Sequence, residues 1–398
     1  MTAPRHIGLL TPYLSGVTGL GSGIGVHFRH LADGLVAAGH RVTCLVPFEH
    51  TPASLPSDLP FQVVAAVARP SPLLPVAGRL SWQFHQWFML RARHRAAALA
   101  AASCPEVEFW ETTSSDSPAL DLLRLARRAP VLTRVSTTAS QLRLTNSGAP
   151  NWIARQKEHW ETRAVRTSDA LVTHTPGHRA ELAREFGLDP ARVLLVPHGI
   201  PLPPRPAPRP DTPAPRLLYV GRLEHRKGID LLLAALPTAL AAHPRATADL
   251  VGTDAGSHWE KQWLARAPVE LRPRVRFRGS LPDAELARAY AEADVFVAPS
   301  RYESFGLIFV EAMSHALPVV ALAAPGALDL VEQGITGLLT PPEDAPSLGA
   351  ALAGLLNDAA LRRRLGAAGR AVAEARYSRD ALVAASLAAY ASVATTRA

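Results

Sequence analysis

Cysteine is nearly missing from this chain of 398 residues, which has only Cys44 and Cys104. Two cysteines cannot build a disulfide framework or a four-ligand zinc site, and both stand in apolar surroundings, so they read as core thiols of a reducing compartment. Equally missing is a run of about 18 apolar residues, the length a membrane-spanning helix needs. The first residues, MTAPRHIGLLTPYL, run straight into a strand pattern with no charged-then-apolar leader, so the expectation is a protein that is not exported. It is expected to be cytoplasmic, with peripheral association at the inner face of the membrane left open. Blocks of Lys and Arg are also lacking, and aromatic residues make up 6% of the chain. The net charge of +8 therefore argues against a nucleic-acid partner and fits an anionic substrate or lipid surface better. That surplus belongs to the first half: residues 1–200 hold 20 basic and 14 acidic side chains, and the remaining 198 hold 22 and 20. The loop after the first strand contains no Walker lysine and no convincing dinucleotide fingerprint, and no D-x-D pair stands in a suitable loop. Neither a cofactor nor a metal is expected.

Hydrophobic residues form 48% of the chain, ample for two cores at about 150 residues per domain. Short apolar runs at His6–Leu10 and Arg41–Val46 flank a helical pattern, a β-α-β opening. Further strands are expected at Phe61–Ala66, Val107–Trp110, Val131–Val135, Ala170–Thr173 and Val193–Val196, with helices over Ser81–Ala102, Pro118–Arg128, Asn151–Arg166 and Arg179–Phe186. The helix at 81–102 has an aromatic first half and a basic middle; such a face suits an anionic membrane or, more simply, a packed core. Residues 201–215, PLPPRPAPRPDTPAP, are too rich in proline for a helix or a central strand and read as a hinge. From 216 to 378 the alternation resumes, with strands at Leu217–Val220, Ala248–Val251, Val275–Phe277, Val295–Val297, Val319–Leu322 and Gly337–Leu339. Regular alternation means α/β folding with parallel, doubly wound sheets. The tail from Leu361 to Ser392 reads as helix, interrupted near Gly366 and broken near Tyr377-Ser378.

The chemistry concentrates in Pro299–Ala316, PSRYESFGLIFVEAMSHA, where a strand gives way to a helix. Ser300, Glu303 and Ser304 sit at the turn, Gly306 allows close backbone approach, and the first N–H groups of the helix, from Phe305 and Leu307, favour a diphosphate. Glu303 and Glu311 lie on either side of that seat, suited to accept hydrogen bonds from sugar hydroxyls. A second basic loop follows the first strand of this half, Val220-Gly-Arg-Leu-Glu-His-Arg-Lys-Gly228. There Gly221 clears the strand end and Arg222 and Lys227 bring positive charge.

The block E-S-F-G-L-x-x-x-E resembles the E-x7-E signature of retaining glycosyltransferases of family GT4, and G-R-L-x-x-x-K-G resembles that family's phosphate loop. The resemblance extends along nearly the whole chain and implies the GT-B architecture, two Rossmann-like domains facing a cleft. It assigns residues 1–200 to the acceptor side and 216–378 to the nucleotide-sugar donor, with the last helix, 379–395, packing back on the first domain. It further implies Glu303, Arg222 and Lys227 as catalytic, and a donor site of Gly221, Leu281, Ser304, Phe305, Gly306, Leu307 and Glu311. Leu281 would lie against the base and Glu311 would hold the ribose. In the glycine-rich loop Gly16–Gly25, Ser22-Gly23 stands where relatives carry a Gly-Gly pair. Glu111 and Ser136 stand at first-domain strand ends where relatives carry histidine, and His198 replaces an asparagine in the V-I-P-N-G-V pattern. The implied partners are a nucleotide-sugar donor and a glycan, lipid or small-molecule acceptor. An epimerase on the same fold and a donor-binding subunit without turnover are the alternatives. Intact Arg222, Lys227, Glu303 and Glu311 argue against the second.

Overall fold

A computed structural model of the chain describes residues 3–18, 23–52, 54–69, 74, 78, 81–126, 128–145, 151–206, 212–254 and 256–397. The chain divides into two compact units, Met1–Gly199 with Arg379–Ala398, and Ile200–Ser378. In the first, β1 (His6–Leu10), β2 (Arg41–Phe48), β3 (Gln62–Val67), β4 (Phe109–Thr113), β5 (Val131–Arg134), β6 (Ala170–Thr173) and β7 (Val193–Leu195) form one sheet in the order 3-2-1-4-5-6-7. Its helices are α1 (Gly23–Ala37), α2 (Trp82–Ala102), α3 (Ala139–Thr145), α4 (Trp152–Thr167) and α5 (Pro176–Phe186). The second unit has β8 (Arg216–Val220), β9 (Thr247–Val251), β10 (Val275–Gly279), β11 (Val295–Ala298), β12 (Val319–Leu322) and β13 (Gly337–Thr340), in the order 10-9-8-11-12-13. With them come α6 (Ile229–Ala241), α7 (Trp259–Arg266), α8 (Asp283–Glu292), α9 (Leu307–Ser314), α10 (Ala327–Leu330), α11 (Ala345–Asn357) and α12 (Ala359–Arg376). The last helix, α13 (Arg379–Arg397), belongs to the first unit.

Every strand pairing is parallel. Parallel sheets are covered on both faces, which is why β1, β11 and β12 are largely apolar and buried at every residue rather than alternating. In each sheet the chain winds outward from one strand and later returns to that strand's other side, so the connections diverge between β1 and β4 and between β8 and β11. Loops at the carboxyl ends of such a pair splay apart and leave room for a ligand.

Three details differ from the sequence expectations. Among the described residues the stretch 118–128 holds only a short 3-10 turn, Leu122–Arg124, which ends where Leu125 takes extended geometry (φ −72°, ψ 130°). Gly366 does not interrupt α12; a Cβ there would lie 2.0 Å from the Ala316 carbonyl oxygen, so the glycine permits close packing. And β4 runs on to Thr113, which puts Glu111 in mid-strand instead of at a strand end. Its side chain is fully buried, accepting from Arg134 Nε (2.7 Å) and from the Tyr390 hydroxyl of α13 (2.5 Å). Arg134 Nη1 also donates to the Val196 carbonyl (2.9 Å), so this ion pair ties β4, β5, the end of β7 and α13 together. Breaking such a pair from one side strands a buried charge, at a cost of about 3–5 kcal/mol. The α13 helix lies close on α1: a Cβ at Gly34 would meet Val383 Cγ2 at 2.6 Å.

Beside this ion pair lies a group of buried histidines. His198 and His27 face each other Nδ1 to Nδ1 at 2.6 Å, so one ring donates and the other accepts. His174 stacks on His198 with centroids 3.8 Å apart. Burial pushes all three well below the ordinary imidazole range, helped in His174 and His198 by neighbouring histidines and in all three by the Arg134 charge. The unfolded chain therefore takes up protons before the folded one does, and the stability these rings contribute is present above about pH 6.5 and lost as the pH falls below it. Each ring adds a slope of up to about 1.4 kcal/mol per pH unit. Glu161 acts in the opposite sense, since burial raises it to about 7 and its contribution is lost as the pH rises toward that value. Urea midpoints measured from pH 5 to 7.5 are expected to fall on acidification. His198→Asn should fall less steeply than the parent below pH 6.5, by about one ring's share. Equal slopes in parent and variant would show that the histidines do not carry the effect.

Candidate functional site

The carboxyl ends of β8 and β11 bring two loops together, 221–228 and 299–306. Gly228 sits at φ +69°, and a Cβ on it would lie 1.8 Å from the Pro299 carbonyl oxygen, so only glycine allows the loops to touch. Arg301 N donates to the Arg226 carbonyl (2.9 Å), and Arg226 Nη1 returns a bond to the Tyr302 carbonyl (3.2 Å). A third segment closes from below. Glu303 N donates to the Pro325 carbonyl, and a Cβ at Gly326 would lie 2.5 Å from the Glu303 carbonyl oxygen. Gly326 was not singled out from the sequence, although a Pro-Gly pair just past a strand is a recognisable turn signal.

On this backbone frame the charges alternate. Lys227 Nζ donates to Glu303 Oε1 at 2.5 Å, with both side chains mostly buried. Glu224 Oε1 stands between Arg222 Nη2 (3.1 Å) and Arg226 Nη2 (3.0 Å). Arg222 is 59% exposed, so its guanidinium can meet a ligand, while its carbonyl accepts from the buried Tyr219 hydroxyl (2.9 Å). The structure thus brings Gly221, Arg222, Lys227 and Glu303 to one place.

The helix α9 opens at Leu307, two residues later than Phe305, because Gly306 turns the chain at φ +97°. In the first turn of α9 Phe309 N donates to the Gly306 carbonyl (2.9 Å), while the N–H groups of Leu307 and Ile308, ahead of it, lie where a helix has no carbonyl of its own to offer. Phe305 is buried edge-on against Tyr377 (5.7 Å), and Ser304 and Leu307 are half-buried. One turn on, Glu311 Oε2 accepts from the Tyr290 hydroxyl of α8 (2.8 Å). Burial pushes the Glu311 carboxyl up from its ordinary range, against the effect of that hydrogen bond. Tyr290 was missed from sequence because its partner lies 21 residues away on another helix. Leu281, just past β10, is half-buried against the core of the second unit.

In the first unit the picture is different. Gly23 is the first residue of α1, while Ser22 lies outside the described residues. Ser136 is buried two residues past β5, within 3.2 Å of His174 Nε2. Glu111 is held inside the sheet by Arg134 and Tyr390, and so is not placed as the strand-end carboxylate expected from the sequence. His174, directly after β6, joins Ser136 to His198, a grouping that spacing along the chain does not reveal. Among the described residues no group of three or more His, Cys, Asp or Glu side chains is placed to hold a metal ion, and no helix is long and apolar enough to cross a membrane. The aromatic half of α2 packs largely on α4 through Trp87, Trp152 and Trp160, with Trp82 and Phe84 exposed at its start.

Comparison with known proteins gives these positions a context. The family model of glycosyltransferase family 4 matches residues 21–203, and that of glycosyl transferases group 1 matches residues 214–358. A glycogen synthase of Mycobacterium tuberculosis is 32% identical over 362 residues, covering 87% of this chain and 86% of the relative. A phosphatidyl-myo-inositol mannosyltransferase of Mycolicibacterium smegmatis is 30% identical over 369 residues, covering 90% and 86%. Among solved structures, sucrose-phosphate synthase from Thermosynechococcus elongatus superposes with a TM-score of 0.75 at 23% identity, covering 98% of this chain and 100% of that one. Anabaena HepE, solved with UDP and glucose, superposes with a TM-score of 0.72 at 19% identity over 97% and 100%. Matched in both units and along most of its length, the chain belongs to glycosyltransferase family 4 and has the GT-B fold.

Proposed function

We propose that this glycosyltransferase transfers a sugar from a nucleotide-diphosphate donor, held in the second unit, to a glycan, lipid or small-molecule acceptor, with retention of anomeric configuration. The observation that carries the reading is the Lys227–Glu303 pair, which joins the loop carrying Arg222 to the loop that leads into α9. Sugar transfer from such a donor builds charge on the departing diphosphate. Cations and helix N–H groups already aimed at that charge stabilise it without reorganising. Arg222 offers a planar fork and Lys227 a point charge. Glu303, beside Lys227, is the acceptor for a hydroxyl of the donor sugar, and Glu311 the acceptor for the ribose. The solved relative HepE, whose complex contains UDP and glucose, supports a donor of this chemical class. The reading assigns no cofactor and no metal, and it leaves nucleotide, sugar and acceptor as classes.

Alanine in place of Arg222 or Lys227 is expected to weaken nucleoside diphosphate binding by about 1.5–3 kcal/mol each, as for a hydrogen bond to a charged group, while the fold persists. Calorimetric titration with UDP, GDP and ADP measures this, and parental affinity in the double variant would place the diphosphate elsewhere. The carboxylates should separate in kinetics. Glu311→Gln is expected chiefly to raise the KM for the donor, and Glu303→Gln chiefly to lower kcat, through a contact that matters at the reacting sugar. The same defect in both would refute that division. Because side chains and a helix start supply the positive charge, turnover is expected to persist in excess EDTA. Loss on chelation with recovery on adding Mn²⁺ or Mg²⁺ would overturn the metal-independent reading.

A further inference from the structure

Arg301 lies between Ser300 and Glu303, and beyond the loop-joining bond of its backbone N–H its guanidinium is fully engaged. A guanidinium has five N–H donors in a rigid plane. Here Nε donates to Glu343 Oε1 (2.6 Å); Nη1 donates to Asp230 Oδ1 (2.8 Å) and to the His225 carbonyl; Nη2 donates to Asp230 Oδ2 (2.8 Å) and Glu343 Oε2 (2.7 Å). Two carboxylates are therefore gripped in bidentate fashion and a carbonyl takes the fifth donor. The side chain is 17% exposed, so water competes little for these bonds.

The partners come from three separate segments. His225 opens the 3-10 turn His225–Lys227, which contains the lysine of the donor site. Asp230 lies in the first turn of α6, immediately after Gly228. Glu343 belongs to the loop between β13 and α11 and is held at φ +58°, a conformation that side chains other than glycine rarely adopt. Its neighbour Asp344 caps α11 by accepting from Ser347 N (2.9 Å), so the loop presenting Glu343 is itself anchored. The Arg301 backbone adds its own bond to the Arg226 carbonyl. One planar group thus spans the turn before Lys227, the helix start after it and an outside support, while its own loop carries Glu303.

We propose that Arg301 is a positioning residue for the donor diphosphate: it sets the 222–227 loop against the 299–303 loop so that Lys227 and Arg222 stand where the phosphates arrive. The inference rests on the donor reading above and adds to it the device that fixes the cations. Lysine cannot replace this arginine, because an ammonium has three donors arranged tetrahedrally and cannot grip two carboxylates in one plane.

The test compares a nucleoside diphosphate with the matching monophosphate, the base being whichever of UDP, GDP or ADP the parent binds best. Affinities are measured by calorimetry for the parent, Arg301→Lys, Asp230→Asn and Glu343→Gln, well below each variant's melting temperature. Arg301→Lys is expected to lose about tenfold in diphosphate affinity, the effect of one weakened charged contact, while monophosphate affinity moves less than about twofold. Asp230→Asn and Glu343→Gln are expected to shift the same ratio by about threefold. A residue that only supports the fold would lower melting temperatures and leave the ratio at the parental value; that result overturns the proposal. If Arg301→Lys does not fold, the two carboxylate variants decide by the same criterion. A parent with no preference for the diphosphate would instead bring down the donor reading, and this inference with it.

Discussion

The contact between the loop after β8 and the loop after β11 is the constraint from which the rest of the second unit's site follows. Lys227 and Glu303 are 76 residues apart in the chain and meet only because a doubly wound sheet places β8 beside β11. Their approach is limited first by sterics, since the loops touch at Gly228 and Pro299 with no room for a Cβ. Charge then sets the register. Partly buried ions are costly unless paired: Lys227 and Arg226 reach the Glu303 carboxylate and the Tyr302 carbonyl of the other loop, while Glu224 stands between Arg222 and Arg226 within their own. Such pairs are weak evidence for net stability. Their consequence is a defined geometry, because alternative loop positions would bury charges without partners.

The two units share a winding pattern but use their strand ends differently. At the carboxyl ends of the first sheet the strong cations are already committed: Arg134 to Glu111, and Lys157 to Asp116 at 2.9 Å. Around them are imidazoles that burial keeps neutral. At the ends of the second sheet Arg222 remains 59% exposed, and α9 begins at the end of the loop that follows β11. On the proposed donor reading, a diphosphate finds its electrostatic complement in the second unit. The imidazoles of the first unit, His27, His174 and His198, are buried and neutral. That division arises from side chains, since the parallel β-α framework is common to both.

Much of this was legible in the sequence because it depends on local pattern. Apolar runs of four to eight residues between helical stretches are what a parallel sheet buried on both faces requires, and they located the strands to within a few residues. The strand-loop-helix motif around Glu303 and the basic loop at Arg222 could be read because glycine and charge at fixed spacing have a local meaning. What escaped was long-range. Tyr390 reaches Glu111 across 279 residues, and nothing near Glu111 announces that it is a buried anchor. Gly366 looks like a helix breaker from its neighbours and is a packing notch because of Ala316. The start of α5 at Pro176 was the exception: Thr175 accepts from His178 N, and a Thr-Pro pair is a local helix-start signal that went unread.

On the proposed donor reading, the close Lys227–Glu303 pair need not be broken for the site to work. An ammonium has three donors, and Glu303 takes one of them, leaving the others for phosphate oxygens. A carboxylate has two oxygens, and Lys227 engages Oε1, leaving Oε2 to accept from a sugar hydroxyl. The ion pair then acts as a spacer between the two halves of the donor that separate in the reaction. Its 2.5 Å length couples the position of the phosphate to that of the sugar, so a ligand satisfying one partner is presented to the other. A nucleoside diphosphate without its sugar would engage only the lysine side. On this reading the two touching side chains have different objects: Lys227 acts on the diphosphate that leaves, and Glu303 on the sugar ring that is transferred.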